Sequence, residues 1–216
     1  MNCRVKICGI TCPEDARVAV DAGAAAVGFI FSRTSRRYVH PDVVRKIVST
    51  LPPFVTPVGV TVNEPRENIR RLIAGTGIRA IQFHGHESPA DLGGYDIPVY
   101  KAFRVGKDFD AAVIPQYPGN VCLLDGFAEG MYGGTGQTVD FTIARQVARS
   151  GRLILSGGLN PGNIGKAILA VAPYAVDVNS GVEREPGTKD PEKIRALFEA
   201  IALVREEQWL HSLPSA

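Results

Sequence analysis

The chain has 216 residues, 45% of them hydrophobic and 21% charged, a balance that suits one well-buried domain and excludes disorder. Its 24 basic and 22 acidic residues leave a formal charge of +2 without a block of either sign, so a nucleic-acid partner is not expected and only a modest local preference for anions remains. No apolar run approaches the ~20 residues that cross a bilayer, and Met1-Asn2-Cys3-Arg4 enters a strand pattern with no signal-peptide core, so a cytoplasmic chain with no membrane partner is expected.

Short runs rich in Val, Ile and Phe recur along the chain, separated by segments of helical spacing that open on Pro, Asp or Ser. That is the pattern of βα units around a parallel sheet. In chain order the predicted strands are Val5 to Ile10, Ala26 to Phe31, Pro57 to Val62, Ala80 to His84, Val99 to Val105, Val121 to Asp125, Leu153 to Ser156 and Ala175 to Asn179. Helix starts are signalled at Thr11-Cys12-Pro13-Glu14-Asp15, His40-Pro41-Asp42, Glu64-Pro65-Arg66, Ser88-Pro89 and Asn160-Pro161, because proline fits the first helical turn. The fourth and fifth helical segments, from Ser88 and from Asp108, are short; the last runs from about Pro191 to Trp209, and the tail from about Leu210 is expected to fray.

Eight such units predict an α/β fold, a single (β/α)8 (TIM) barrel over residues 1–216. A doubly wound open sheet would place a glycine-rich nucleotide loop after its first strand, and Cys8-Gly9-Ile10-Thr11 is no such loop.

In a barrel of this kind alternate side chains point inward, and the reactive groups gather at the C-terminal mouth. Lys6 and Cys8 share one face of the first strand; Val121, Leu123 and Asp125 share one face of the sixth. The outward faces meet helices and should be apolar, which makes Lys6, Cys8, Asp125, Asp177 and Asn179 interior, with Cys8 and Asp125 at the mouth. Cys8 has a plainer reading as a small buried hydrophobe, and Asp125 as a loop cap. Their joint placement across one mouth favours an acid and a base flanking a substrate.

Strands seven and eight end in Ser156-Gly157-Gly158-Leu159-Asn160-Pro161 and Asp177-Val178-Asn179-Ser180-Gly181, two glycine turns where barrels commonly hold phosphate. Gly157, Gly158, Asp177, Ser180 and Gly181 are therefore candidate contacts to a phosphorylated small molecule. His84 shares the inward face of Gln82 and joins the candidate substrate contacts; of proton carrier and barrel filler, the structural role is the expected one. Arg33, Arg36 and Arg37 crowd the turn after the second strand, where a guanidinium can pair with a ligand carboxylate. The four cysteines, Cys3, Cys8, Cys12 and Cys122, suit neither a disulfide framework nor a common zinc pattern, so free thiols and no metal are expected.

Lys6-Ile7-Cys8-Gly9-Ile10-Thr11 resembles the opening signature of the phosphoribosylanthranilate isomerase family. The resemblance continues in family order through Ser35-Arg36-Arg37-Tyr38, Gln82-Phe83-His84-Gly85, Leu123-Leu124-Asp125, Gly133-Gly134-Thr135-Gly136, Ser156-Gly157-Gly158-Leu159 and Asp177-Val178-Asn179-Ser180-Gly181-Val182-Glu183, then Pro186-Gly187 and Lys189-Asp190. Three positions depart: Ser156 stands where alanine is frequent, Asn179 where serine is, and Phe141 follows Asp140 where tryptophan is common. The resemblance implies an Amadori rearrangement in tryptophan biosynthesis, with Cys8 as general base, Asp125 as general acid, Arg37 on the anthranilate carboxylate, no cofactor, and a monomer or homodimer.

An unperturbed Asp titrates near ~3.9 and an unperturbed Cys near ~8.5, so each must be shifted to act in these roles. Burial at the end of Val121-Cys122-Leu123-Leu124 is expected to raise the Asp125 carboxyl, and Lys6 to favour the Cys8 thiolate. Gly126 to Gly136 carries five glycines directly after the acid and reads as a lid.

Overall fold

The computed structural model describes residues 3–106, 108–126 and 141–212, with side chains up to Val204. Eight parallel strands close into a barrel: β1 (Arg4–Ile7), β2 (Ala26–Ile30), β3 (Thr56–Thr61), β4 (Ala80–Phe83), β5 (Val99–Arg104), β6 (Val121–Asp125), β7 (Arg152–Leu155) and β8 (Ala175–Val178). Closure is direct, since Lys6 of β1 stands in register with Asp177 of β8. The α-helices outside it are α1 (Pro13–Asp21), α2 (Pro41–Val48), α3 (Arg66–Thr76), α4 (Thr142–Ser150), α5 (Ile164–Val171) and α6 (Pro191–Ser212).

The local chemistry explains most boundaries. Pro13 and Pro41 occupy the first turns of α1 and α2, and the His40 side chain caps α2 by accepting from the Asp42 amide. Gly77, in the left-handed conformation at φ 78°, ends α3. The segments after β4 and β5 are only 3-10 turns, Pro89–Leu92 and Ala111–Gln116, the first closed by Asp91 accepting from the Ser88 amide and hydroxyl, the second containing Pro115.

Most boundaries shift by a residue or so, and three differ in ways the local bonding explains. β1 stops at Ile7 rather than Ile10, because Gly9 turns the chain at φ 72°. The helix after β7, α5, starts at Ile164, not at Pro161: Asn160 accepts from the Gly162 amide and Asn163 from the Asn160 amide, which holds the intervening residues in a turn. α6 runs on to Ser212, so the expected fraying from about Leu210 is met by helix as far as that residue, and 213–216 lie outside the described residues.

The two faces of each strand serve two cores. The outward face supplies Val5, Ile7, Val27, Phe29, Ile81, Phe83, Leu124, Leu155 and Val176 to the layer beneath the helices. The inward face supplies Val58, Ala80, Tyr100, Ala102, Leu123, Ile154 and Ala175 to a separate plug inside the barrel. The plug fills the lower barrel with side chains.

The loops at the mouth are tied by a buried carboxylate. Glu87 accepts from the Asn63 amide (2.7 Å) and the Gly85 amide (2.8 Å), and Lys101 of β5 lies 3.3 Å from it while donating to the Gly85 carbonyl (2.8 Å). This knot joins the ends of β3 and β4 to β5 directly beside His84. Because Glu87 is 6% exposed, removing its cation should leave an uncompensated buried charge. Lys101→Met is expected to cost about 3–5 kcal/mol of folding stability, measured as a lower urea midpoint at unchanged m-value.

Candidate active site

A cavity of about 200 Å³ opens at the C-terminal mouth and is lined by Cys8, Arg37, Gln82, His84, Asp125, Gly157, Gly158, Asp177, Asn179 and Ser180, with Ile30, Val60, Ser156 and Leu159. Eight of the nine site residues expected from sequence thus meet in one hollow. Gly181, the ninth, lies behind the wall. A Cβ there would overlap the Leu159 carbonyl, so this glycine lets the turns after β7 and β8 pack against each other.

Cys8 follows β1, its amide donating to the Val178 carbonyl (2.9 Å), so the ladder to β8 extends one residue past the strand. Beneath it Lys6 donates to Asp177 at 2.8 Å, both side chains 5% exposed. Burial pushes the Cys8 thiol up, and the charge and hydrogen bond of Lys6 offset only part of that shift. The expected direction for Lys6 is present, but burial outweighs it. Lys6 itself is held protonated: desolvation opposes its charge, and Asp177 and its neighbours more than compensate.

Asp125 ends β6 on the opposite side. Burial alone would raise its carboxyl, but the His84 hydrogen bond and charge, Arg104 and the Gly126 amide together hold it below the usual value. This reverses the expectation of a raised carboxyl. The expectation counted the apolar strand and missed that His84 reaches across from β4, placing Nε2 3.3 Å from Asp125 Oδ2. His84 Nδ1 is 2.9 Å from Gln82 Nε2, and Tyr100 donates to Gln82 Oε1 at 3.0 Å. The His84 ring therefore stands between Gln82 and Asp125 at the cavity.

Arg37 lies at the cavity edge, whereas Arg36 is exposed. The Arg37 guanidinium is gripped by Glu183 through Nε (2.8 and 3.1 Å) and Nη2 (2.7 Å). Lys189, fully buried, donates to Glu183 (3.0 Å) and to the Asn179 side chain (3.0 Å). Glu183 and Lys189 stand in register on the hairpin of β9 (Glu183–Glu185) and β10 (Thr188–Lys189), which follows the end of β8. Burial works against the Glu183 charge, yet Arg37, Lys189 and the Gly187 amide keep its carboxyl below the ordinary range.

At the glycine turns, Gly157 (φ 101°) and Gly158 (φ 61°) adopt left-handed backbone, which presents the loop without side chains over the cavity. Asn163 donates to the Gly158 carbonyl at 2.9 Å and so fixes the turn. The expected lid, and the motif Gly133 to Gly136 within it, fall on 127–140, outside the described residues. The four cysteines are free thiols, and no cluster of His, Cys, Asp and Glu suited to a metal occurs among the described residues.

Four contributors escaped the sequence reading. Glu183 and Lys189 stood inside motifs but carried no assigned role, and Tyr100 shows only as a lone aromatic on the inward face of β5. Gly28 is the least visible. A Cβ at this position of β2 would lie 2.8 Å from Cys8 Sγ and 2.9 Å from Lys6 Nζ, so its missing side chain makes room for both. An apolar strand interrupted by a glycine was the available signal, since such a gap marks close approach by another group.

A family model described as N-(5'-phosphoribosyl)anthranilate (PRA) isomerase matches residues 5–200. An enzyme of Citrifermentans bemidjiense named N-(5'-phosphoribosyl)anthranilate isomerase is 46% identical over 204 residues, covering 93% of this chain and 99% of that protein. The crystal structure of the phosphoribosyl anthranilate isomerase of Thermus thermophilus superposes with a TM-score of 0.83 at 40% identity, covering 94% of this chain and 100% of that one. A phosphoribosyl anthranilate isomerase solved in complex with reduced 1-(o-carboxyphenylamino)-1-deoxyribulose 5-phosphate gives 0.82 at 39% identity, covering 93% and 99%.

The tight fit at Gly28 yields a test of the site's packing. Gly28→Ala should destabilise the fold by about 1–3 kcal/mol, the usual cost of overpacking a dense interior. Urea denaturation reads it; unchanged stability would mean that thiol and ammonium swing aside freely.

Proposed function

The chain belongs to the N-(5'-phosphoribosyl)anthranilate isomerase family, and from that premise we propose how its mouth residues divide the reaction. The chain is an isomerase of tryptophan biosynthesis. It carries out the Amadori rearrangement of N-(5-phosphoribosyl)anthranilate to 1-(2-carboxyphenylamino)-1-deoxyribulose 5-phosphate. What supports the division of roles is one observation: a thiol and a carboxyl face each other across a cavity whose third side is a pair of glycine turns.

The phosphate of the substrate rests on the turns at Gly157, Gly158 and Ser180, where backbone amides receive the dianion without competition from side chains. Asp177 adds a buried oxygen, Oδ1, that has no hydrogen-bond partner among the described residues and is suited to a sugar hydroxyl. Arg37 pairs with the anthranilate carboxylate. Glu183 occupies its Nε and Nη2, which leaves Nη1 for the ligand and fixes the plane of the guanidinium. The partner is thus a phosphorylated small molecule, and the chain works as a monomer or a homodimer.

Asp125 gives a proton to the ring oxygen; the C–O bond breaks and the nitrogen lone pair forms a protonated imine. Cys8 thiolate then takes the proton from the adjacent sugar carbon, and the electron pair neutralises the imine to an enolamine, which tautomerises to the ketone. In the empty site the thiol is raised and the carboxyl lowered, so the working pair of thiolate and carboxylic acid is the minority form. Substrate binding expels water around Asp125 and removes solvation from its charged form, which moves the carboxyl in the required direction.

Cys8→Ser and Asp125→Asn are each expected to lower kcat by ~10²–10⁴-fold with native circular dichroism, as for loss of a general acid or base. Near-wild-type turnover in either variant removes that residue from its role. For the carboxylate contact, Arg37→Ala should cost about 2–5 kcal/mol in kcat/KM, whereas Arg36→Ala should leave it nearly unchanged. Equal losses in the two variants would assign the contact elsewhere.

A further inference from the structure

We propose that His84 and Asp125 act as one proton-holding unit, in which the His84 imidazole stores the ring-opening proton and passes it through Asp125. The inference rests on Asp125 as the general acid and extends it. An acid that is ionised when the site is empty needs a source for the proton it donates, and among the described residues the group bonding its carboxylate from another strand is the His84 ring.

The geometry below the pair suits both charge states of the ring. As drawn, Tyr100 donates to Gln82 Oε1 and the Gln82 amide donates to His84 Nδ1, so the neutral ring carries its proton on Nε2, toward Asp125. A second proton on the ring converts Nδ1 into a donor. Gln82 meets that change by rotating its amide: its oxygen then accepts from Nδ1, and its nitrogen donates to the Tyr100 oxygen, because a phenol hydroxyl both donates and accepts. Gln82 is 1% exposed and Tyr100 7%, so water cannot make these adjustments in their place. A histidine kept only for packing would need no partner able to serve both states.

In the proposed step the imidazolium Nε2–H bond breaks as Oδ2 of Asp125 takes that proton, and the Asp125 proton passes to the sugar ring oxygen while the C–O bond opens. The pair ends as neutral imidazole and a carboxylate plus the proton now on the substrate, so one proton has moved and none is lost. His84 acts through Asp125 and is a positioning and proton-supplying residue. The other charged or titratable groups facing the pair are Arg104 at the end of β5, Lys6 and Cys8 from β1, Arg37 from the turn after β2, Asp177 from β8 and Tyr100 below.

The test is the pH profile of kcat/KM for wild type, His84→Gln, His84→Asn and Asp125→Asn, each with a native circular dichroism spectrum. Both His84 variants keep an amide donor for Asp125 but cannot take up a proton. In wild type the pair loses its proton as pH rises, which sets the basic limb. Without the imidazole only the carboxyl holds that proton, so the limb should move down by about two units, with a loss on the basic limb on the order of 10²-fold that shrinks toward acid pH. Profiles parallel to wild type in both His84 variants would overturn the proposal while leaving Asp125 as acid. Full activity in Asp125→Asn would instead remove the acid assignment, and the proposal with it.

Discussion

Lys6 and Asp177 meet 2.8 Å apart inside the barrel, in register on adjoining strands, and the rest of the site is organised around that contact. Two charges there are tolerable only as a pair, because either one alone would lose its hydration without compensation. Holding them together fixes the β1–β8 seam that closes the barrel. It also sets a permanent cation under Cys8 and leaves the buried Oδ1 of Asp177 without a hydrogen-bond partner among the described residues. A hydrophobic pair of similar volume could close the seam as firmly, but it could do neither of the other two things.

A second buried charge cluster stands around the mouth from the pair. Glu183 is shared between Arg37 and Lys189, and Lys189 reaches Asn179 at the end of β8. The Lys189 amide donates to Asp15 of α1, which anchors the hairpin to the helix layer. Through this chain the Arg37 guanidinium at the cavity edge is set by Glu183 and, behind it, Lys189. A third knot, Glu87 with Lys101, does the same for the loop carrying His84. Three buried carboxylates thus position three walls of one cavity, and each is stabilised by backbone amides or cations.

The two groups placed to move protons are shifted in opposite senses by their surroundings. Burial dominates at Cys8, where one ammonium offsets it only in part; at Asp125 burial is the largest single influence yet loses to the sum of several donors. The difference lies in the number of hydrogen-bond donors that converge on each. Asp125 gathers His84 and the Gly126 amide with Arg104 nearby, whereas Cys8 sits against the apolar wall of β2, where Gly28 gives it space but no donor. Exclusion of water by a ligand therefore acts mainly on Asp125, whose side chain is 29% exposed, and little on Cys8, which is already buried.

Alternation of apolar residues along eight short runs was enough, from sequence alone, to specify the parallel barrel, the inward faces of Lys6, Cys8, Leu123 and Asp125, and the glycine turns after the last two strands. These properties follow from the period of the strand and the conformational freedom of glycine, both local. The end of β1 at Ile7 and the delayed start of α5 depended on a positive φ at Gly9 and on Asn160 and Asn163 bonding nearby amides, which no periodicity reports. The direction of the Asp125 shift, the grip of Glu183 on Arg37, the relay from Tyr100 to His84 and the clearance at Gly28 lay wholly in the tertiary structure. Each joins residues far apart in the chain, 146 positions in the case of Arg37 and Glu183, and such contacts exist only once the closed sheet brings separate strands to one mouth.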